Sequence, residues 1–146
     1  MTVAGTQAPN AKSLICFDFG TTHIGVATGQ SVTQSASPLT VLRARDGIPD
    51  WLAVEKILTE WKPDLVLVGL PLNMDGSESE LSGRARKFAN RLHGRFGLPV
   101  ELVDERLSSF EAKGEILRET GSKNFKRSEV DSLAAKLILE SWFQRL

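Results

Sequence analysis

The stretch Leu14-Ile-Cys-Phe-Asp-Phe-Gly-Thr-Thr-His-Ile-Gly-Val-Ala27 decides the fold of this chain. Two short apolar runs, Leu14 to Phe19 and Ile24 to Thr28, are separated by only a few turn residues. This pattern predicts two strands that pair antiparallel. Asp18 interrupts the first run, and a carboxylate is costly to bury alone. The first strand therefore indicates a cation, a cluster of donors or a metal ion at its end.

Further strands and helices follow along the chain. Strands are predicted over Pro38 to Arg43, Leu65 to Gly69 and Pro99 to Val103. Helices are predicted from Asp50 to Pro63, from Glu78 to Phe96, from Ser108 to near Gly121, and from Ser128 onward. Strands separated by helices need crossover connections and pair parallel, whereas the first three can pair antiparallel. We expect an α/β fold with a mixed five-stranded sheet and helices on its faces.

Composition narrows the class of protein. The chain has 146 residues, of which 41% are hydrophobic and 25% charged, with 18 Lys and Arg against 18 Asp and Glu. These values exclude a disordered chain and two large domains, and predict one domain over residues 13–146 behind a flexible tail, residues 1–12. Without a signal peptide or an apolar membrane span, we expect a cytoplasmic protein with no membrane partner. The single cysteine, Cys16, excludes an intramolecular disulfide and is predicted to be a buried strand thiol.

Acidic residues recur where predicted strands end. Asp104 and Glu105 follow a buried strand as Asp18 does, and strand ends in α/β sheets are where ligands bind. Asp131 lies three residues after Ser128, as in a capping box, but it also shares a helix face that points toward the sheet. Converging carboxylates repel one another, and oxygen ligands favour Mg²⁺ or Mn²⁺. We therefore expect a divalent-metal site, with Asp104 and Glu105 as alternative ligands.

Basic residues gather in two places despite the net charge of zero. Arg84, Lys87 and Arg91 recur at helical spacing, and Lys126 belongs to a second cluster just before the last helix. A solvated helix face is the structural alternative, although such faces usually carry both signs of charge. The loop from Gly69 to Gly76 is a candidate phosphate cradle that contains Asn73. Zero net charge argues against nonspecific coating of a polyanion, so a polyanion would bind at a local patch.

Taken together, these motifs resemble the YqgF family of Holliday junction resolvase-like nucleases, which is associated with maturation of the 16S ribosomal RNA precursor. The resemblance extends from about Ser13 to Phe143. Its motifs are Phe17-Asp-Phe-Gly-Thr-Thr-His-Ile-Gly-Val-Ala27, Val68-Gly-Leu-Pro-Leu-Asn-Met-Asp-Gly76, Ala85-Arg-Lys-Phe-Ala89, Asp104-Glu-Arg-Leu-Ser108 and Val130-Asp131.

The resemblance implies a ribonuclease H-like fold, with three antiparallel strands and then two parallel ones. It assigns the acidic cluster to Asp18, Glu105 and Asp131, with Asp104 as the substitute for Glu105. It implies Mg²⁺- or Mn²⁺-dependent hydrolysis of a phosphodiester bond, with Asp18 holding or bridging two ions. It also favours RNA over DNA. The residues expected to contact substrate are Thr21, His23, Asn73, Arg84, Lys87, Arg91, Arg106 and Lys126.

One departure from the family pattern concerns the turn after the first strand. Many members carry Lys or Arg in the pair before Ile-Gly, where this chain has Thr22 and His23. Any positive contact made there would depend on pH, because histidine titrates near neutrality.

Other functions fit parts of the pattern. Maturation of precursor 16S ribosomal RNA is the first expectation, and resolution of branched DNA or noncatalytic RNA binding during ribosome assembly are alternatives. The turn from Asp18 to Thr22 also resembles the first phosphate-binding turn of the actin, heat-shock ATPase and sugar kinase superfamily, but that interpretation leaves Glu105 and Asp131 unused. The strand from Pro99 to Val103 also has a structural alternative to ligand binding, in which the acid at its end only pairs with Arg106. We expect a monomer or a weak dimer.

Overall fold

The structure, a computed structural model, describes residues 12–107 and 127–145. Its strands are β1 (Ser13–Asp18), β2 (His23–Gln30), β3 (Ser35–Arg45), β4 (Ile48–Pro49), β5 (Leu65–Leu70) and β6 (Val100–Asp104). Its helices are α1 (Trp51–Trp61), α2 (Glu80–Phe96) and α3 (Arg127–Gln144), and a 3₁₀ turn covers Glu105–Leu107. The helix predicted from Ser108 to near Gly121 lies outside the described residues.

The strands form one mixed sheet in the order β4-β3-β2-β1-β5-β6. Strands β1 to β4 pair antiparallel in sequence, whereas β1 pairs parallel with β5, and β5 with β6. The predicted mixture of antiparallel and parallel strands is confirmed, but the predicted number of five is wrong, because the described part of the chain has six. The additional strand, β4, has only two residues, too few to show a hydrophobic pattern.

A tight turn produces β4. Asp46 and Gly47 both have positive φ, at 51° and 81°, and β4 pairs across them with Ala44 and Arg45 of β3. Asp-Gly is a preferred pair for a two-residue hairpin turn of this kind, because both central residues must adopt left-handed backbone angles. This dipeptide was the sequence signal for the sixth strand.

Capping residues set the helix ends. Asp50 caps α1 as predicted, since the Leu52 amide donates to its Oδ1 over 3.0 Å. Helix α2 begins two residues later than predicted, because Ser79 is its N-cap and forms a reciprocal capping box with Ser82. Helix α3 begins at Arg127, so the predicted cap at Ser128 is wrong, and that residue lies inside the helix.

Alternating residues of β1 pack into two separate cores. Ile15 and Phe17 face α1 and α2. There the rings of Phe17 and Phe88 pack edge to face, with their centroids 5.5 Å apart. Leu14 and Cys16 face α3, so the predicted burial of the cysteine is confirmed. The helices therefore cover both faces of the sheet, as expected. Among the residues that the structure describes, no helix has the length and apolar character needed to span a membrane.

Candidate active site

Asp18 is the last residue of β1 and lies at the centre of the sheet. Alternate residues of a strand point to the same face, so the Asp18 side chain lies with those of Leu14 and Cys16 on the face covered by α3. Its register partner is Gly25 of β2. Burial raises the pKa of the Cys16 thiol, and the negative charges of Asp18 and Glu105 raise that pKa further. Both carboxylates therefore lie close enough to act on the same buried group.

Glu105 lies over the strand on the other side of β1. It is the first residue after β6, and its side chain packs on Gly69 of β5, where a Cβ would stand 3.0 Å from both Cγ and Oε1 of Glu105. The same Cβ would stand 2.8 Å from Ile138 of α3, so this is again the α3 face. Because Phe17 pairs with Val68, the next residues, Asp18 and Gly69, are neighbours.

Asp131 reaches the same edge from α3. Its backbone carbonyl packs directly on Gly25, so closely that no side chain fits there. Its Oδ2 atom is shielded from solvent. Because α3 begins at Arg127, Asp131 lies in the second helical turn, beyond the position that a capping-box acid occupies. The helix start therefore argues against the structural alternative for this residue.

The fold thus gathers three carboxylates at one edge and on one face of the sheet. Asp18 has Gly25 as its neighbour on one side and Gly69 on the other. Asp131 packs against Gly25, and Glu105 packs against Gly69. Within residues 12–107 and 127–145, no three His, Cys, Asp or Glu side chains are already close enough to hold one ion together. The donor set nevertheless has the chemistry that a hard divalent cation prefers, since it consists of carboxylate oxygens gathered where strands end.

Asp104 and Glu105 differ sharply in their surroundings. The Arg106 guanidinium bonds both oxygens of Asp104, with Nη2 at 2.8 Å from Oδ2, and the Arg106 amide donates to Oδ1 over 2.9 Å. Hydrogen bonding to Arg106 holds the pKa of Asp104 below its ordinary value. The pairing of a strand-end acid with Arg106 therefore occurs at Asp104, which leaves Glu105 as the better candidate ligand.

Arg106 also joins the strand end to the loop from Pro71 to Ser77. Its Nη1 donates to the Met74 carbonyl over 3.2 Å, and its guanidinium packs on Gly76, whose φ is 89°. In the same loop, the side-chain amide of Asn73 donates to Ser77 Oγ over 3.0 Å. Arg106 and Asn73 thus hold the loop in the structure.

The interpretation of this loop as a cradle of free amides is only partly supported. The backbone amides of Asn73, Gly76 and Ser77 donate within the loop, to Ser77, Asn73 and Asp75 respectively. Those three amides are therefore already used and do not offer donors to a phosphate.

The turn after β1 is tied to the β3–β4 hairpin. Thr21 accepts a hydrogen bond from the Gly47 amide, and Thr22 accepts one from the Ala44 amide, both at 2.9 Å. His23 begins β2 and has the same parity as Gly25, so it lies on the carboxylate face, where its Nδ1 is 3.0 Å from Thr22 Oγ1. His23 therefore lies on the same face as the acidic cluster, and the substrate contacts expected of Thr21 and His23 stay predictions.

The predicted basic stripe lies on the opposite face of the sheet, where α2 packs. Arg84, Lys87 and Arg91 line one concavity of about 230 Å³ together with Phe19 and the hairpin turn. The pattern of charges along the helix did not reveal the partner of Arg84, which is bound to Asp46, 38 residues earlier in the chain, at 2.5 Å. The Asp46-Gly47 turn signal could have suggested that this segment folds back. Lys126 lies outside the described residues.

Comparisons with known proteins give one consistent result. A family model described as "RuvX: Holliday junction resolvase" matches residues 12–145. A "Putative pre-16S rRNA nuclease" from Pectobacterium carotovorum subsp. carotovorum (strain PC1) is 57% identical over 134 residues, which cover 92% of this chain and 96% of the relative. A protein of the same description from Haemophilus ducreyi (strain 35000HP / ATCC 700724) is 59% identical over 133 residues, which cover 91% and 96%.

Solved structures of resolvases share the fold. Thermus thermophilus RuvC aligns with a TM-score of 0.56 and 17% identity, over 91% of this chain and 95% of that chain. The fowlpox virus Holliday junction resolvase aligns with a TM-score of 0.51 and 15% identity, over 92% and 99%. These similarities agree with the ribonuclease H-like fold expected from the sequence.

Proposed function

Because this chain belongs to the RuvX family, whose model is described as a Holliday junction resolvase, we propose that it is a divalent-metal-dependent nuclease that matures precursor 16S ribosomal RNA. The observation that carries the proposal is the convergence of Asp18, Glu105 and Asp131 on one face and one edge of the sheet. These residues come from distant parts of the chain, and the fold brings them to one edge of the sheet.

The three acidic side chains and Arg106 have different tasks in this proposal. Asp18, on the central strand, and Glu105 and Asp131, on its two sides, hold Mg²⁺ or Mn²⁺. The cation supplies Lewis-acid stabilisation of the negative charge that develops on the phosphoryl group. Arg106 positions the strand end, because it binds Asp104 and the Met74 carbonyl and so keeps Asp104 from competing with Glu105.

The relatives support RNA as the substrate, since they are described as nucleases of precursor 16S ribosomal RNA. Branched DNA is the second candidate, because the matching family model is described as a Holliday junction resolvase. The carboxylate site serves either polymer, because phosphodiester hydrolysis needs the same electrostatic stabilisation in both.

The test compares the purified full-length protein with Asp18→Asn, Glu105→Gln and Asp131→Asn on two substrates, a 5′-extended precursor 16S RNA fragment and a synthetic four-way DNA junction. Glu55→Gln is the matched control, because Glu55 is an exposed acid on α1, across the sheet from the site. We expect wild type and control to cleave RNA with Mg²⁺. Each site variant should lose activity by about 100-fold or more.

Metal binding is measured separately by calorimetric titration with Mn²⁺. Wild type and Glu55→Gln should bind the ion, and the three site variants should bind it much more weakly. Equal cleavage by all variants, or cleavage that survives EDTA, would overturn the proposal. Faster cleavage of the junction than of RNA would select the second candidate. ATP turnover that persisted in Asp131→Asn would instead favour the ATPase interpretation.

A further inference from the structure

A basic concavity lies behind the carboxylate site. Its volume is about 230 Å³, and it is enclosed by the β3–β4 turn on one side and by α2 on the other. Phe19 and Ile48 provide apolar lining, whereas Arg84, Lys87 and Arg91 provide positive charge. A concavity of this size has room for one phosphate group, and its charged side chains carry the sign that a phosphate requires.

The turn that closes the concavity is held in place at two points. Asp46 binds Arg84 of α2, with Oδ1 at 2.5 Å from Nη1. Gly47 lies against Phe19, since a Cβ at Gly47 would stand 2.9 Å from the end of the Phe19 ring. The turn that forms this wall of the concavity is therefore attached both to α2 and to the core.

The cations on α2 differ in how their charge is compensated. Arg84 is bound by Asp46 and lies 3.6 Å from Glu80. Arg86 is bound by both carboxylate oxygens of Glu78. Lys87 and Arg91 are exposed and form no ion pair with any residue in the described part of the chain. Two positive charges at the concavity are thus available to an external anion.

The position of the concavity relates it to the carboxylate site. Asp18 and Phe19 are consecutive, and they direct their side chains to opposite faces of the sheet, the first to the acidic cluster and the second into the concavity. The two sites therefore lie on opposite faces of the sheet, beside the end of the same strand. Phosphates are bound by cations such as Lys87 and Arg91 without readout of sequence.

We propose that this concavity binds a backbone phosphate of the RNA strand that flanks the cleaved bond, with Lys87 and Arg91 as its ligands and Asp46 as an internal competitor that restrains Arg84. The proposal depends on the proposed function for the identity of the polymer and for the bond that the bound phosphate flanks. It predicts that removing the Asp46 charge strengthens RNA binding, because Arg84 then becomes available to phosphate.

The test measures binding of a 5′-fluorescein-labelled single-stranded RNA by fluorescence anisotropy, in EDTA, between 50 and 300 mM KCl. For single strands, each phosphate contact contributes about 0.7 to the slope of log K against log salt. Lys87→Gln and Arg91→Gln should each weaken binding about fivefold at 100 mM salt and reduce that slope by about 0.7. Asp46→Asn should strengthen binding by about two- to fivefold and steepen the slope.

The choice of variants separates the loss of phosphate contacts from changes in the turn or in the charge of α2. Asn-Gly also favours the tight hairpin turn, so Asp46→Asn keeps the β3–β4 connection. Arg86→Gln is the matched control for Lys87→Gln and Arg91→Gln, because it removes one positive charge from the same helix at a residue already neutralised by Glu78. Its affinity should match that of wild type. Circular dichroism confirms that each variant is folded.

The outcomes separate this inference from the proposed function. If Lys87→Gln and Arg91→Gln bind RNA as wild type does, or if Arg86→Gln loses as much affinity as they do, the inference is overturned even when the carboxylate variants abolish cleavage. If Asp46→Asn weakens binding, the role of Asp46 as a competitor is overturned. If wild type binds RNA through Lys87 and Arg91 but cleaves neither substrate, the assignment of these residues as phosphate ligands stands and the proposed function fails.

Discussion

Replacing Gly25 with alanine should displace Asp131 from the candidate active site. Gly25 is the register partner of Asp18, and an added Cβ would stand 2.5 Å from the carbonyl carbon of Asp131 and closer still to its oxygen. It would also stand 3.2 Å from the Ser132 amide nitrogen. All of these are backbone atoms, so no change of rotamer relieves the overlap, and α3 must move away from β2.

The size of the effect follows from these distances. Non-bonded carbon atoms prefer a separation of about 3.5 to 4.0 Å, so the backbone at Asp131 must retreat by about 1 Å. Overpacking of this kind lowers the free energy of unfolding by about 1 to 3 kcal/mol. A misplacement of about 1 Å in a catalytic group lowers activity by about 100-fold. Gly25→Ala should therefore lose much more activity than stability.

The assay combines urea unfolding, Mn²⁺ titration and RNA cleavage, all well below the unfolding midpoint. Gly29→Ala is the matched control, because Gly29 lies on the same face of β2, farther from the carboxylates. Its added Cβ would stand 2.6 Å from the Leu139 side chain and 2.8 Å from the Ser35 carbonyl oxygen. This variant should lose stability yet keep its Mn²⁺ affinity and cleavage rate.

Two results would refute this reasoning. Wild-type stability and Mn²⁺ affinity in Gly25→Ala would show that the contact with Asp131 does not set the position of α3. An equal loss of activity in Gly29→Ala would show that overpacking anywhere under α3 disables the site, so that the register of Gly25 with Asp18 has no special importance.

Three further predictions test the surroundings of the site. Gly69→Ala should push the Glu105 side chain away, since a Cβ would lie 3.0 Å from its Cγ, and Mn²⁺ affinity should fall by about 10-fold or more in a calorimetric titration. Asp104→Asn should make the free energy of unfolding less dependent on pH in the acid range. Hydrogen bonding to Arg106 lowers the pKa of Asp104, so the unfolded state binds more protons and the wild-type protein loses this stability as pH falls from about 4 through the folded pKa. Urea unfolding between pH 6 and pH 3 measures that difference. Ser79→Ala removes the N-cap of α2 and should lower the free energy of unfolding by about 1 kcal/mol in the same assay at neutral pH.

Each of these predictions has a result that contradicts it. Unchanged Mn²⁺ affinity in Gly69→Ala would remove Glu105 from the ligand set. Parallel stability curves for wild type and Asp104→Asn throughout the acid range would show that the pair with Arg106 contributes nothing on folding. For Ser79→Ala, a large loss of cleavage below the unfolding midpoint would mean that the capping box also shapes the site.

Much of the fold could be predicted because its signals are local. Apolar runs marked the strands, helical spacing marked α2, and Asp50 marked the start of α1, which the structure confirms. The errors are also local in origin. Strand β4 was missed because two residues carry no periodicity, and the cap at Ser128 was wrong because α3 begins at Arg127.

The candidate site was predictable in composition but not in geometry. Acids at strand ends are visible in the sequence, and Asp18 is conspicuous within an apolar strand. Their role as metal ligands stays a prediction. The basic stripe on α2 was also visible, but its position behind the sheet was not, because helical spacing identifies a face without showing what that face packs against.

The sequence by itself determined the order of the described helices and of every described strand except β4, and it displayed the acidic residues at strand ends, because each of these features depends on neighbours within a few turns of chain. Only the tertiary structure decided that Arg106 engages Asp104 and leaves Glu105 to the site, and that Asp46 restrains Arg84. The physical reason is that competition between adjacent carboxylates, and pairing between residues 38 positions apart, depend on distances that packing alone creates.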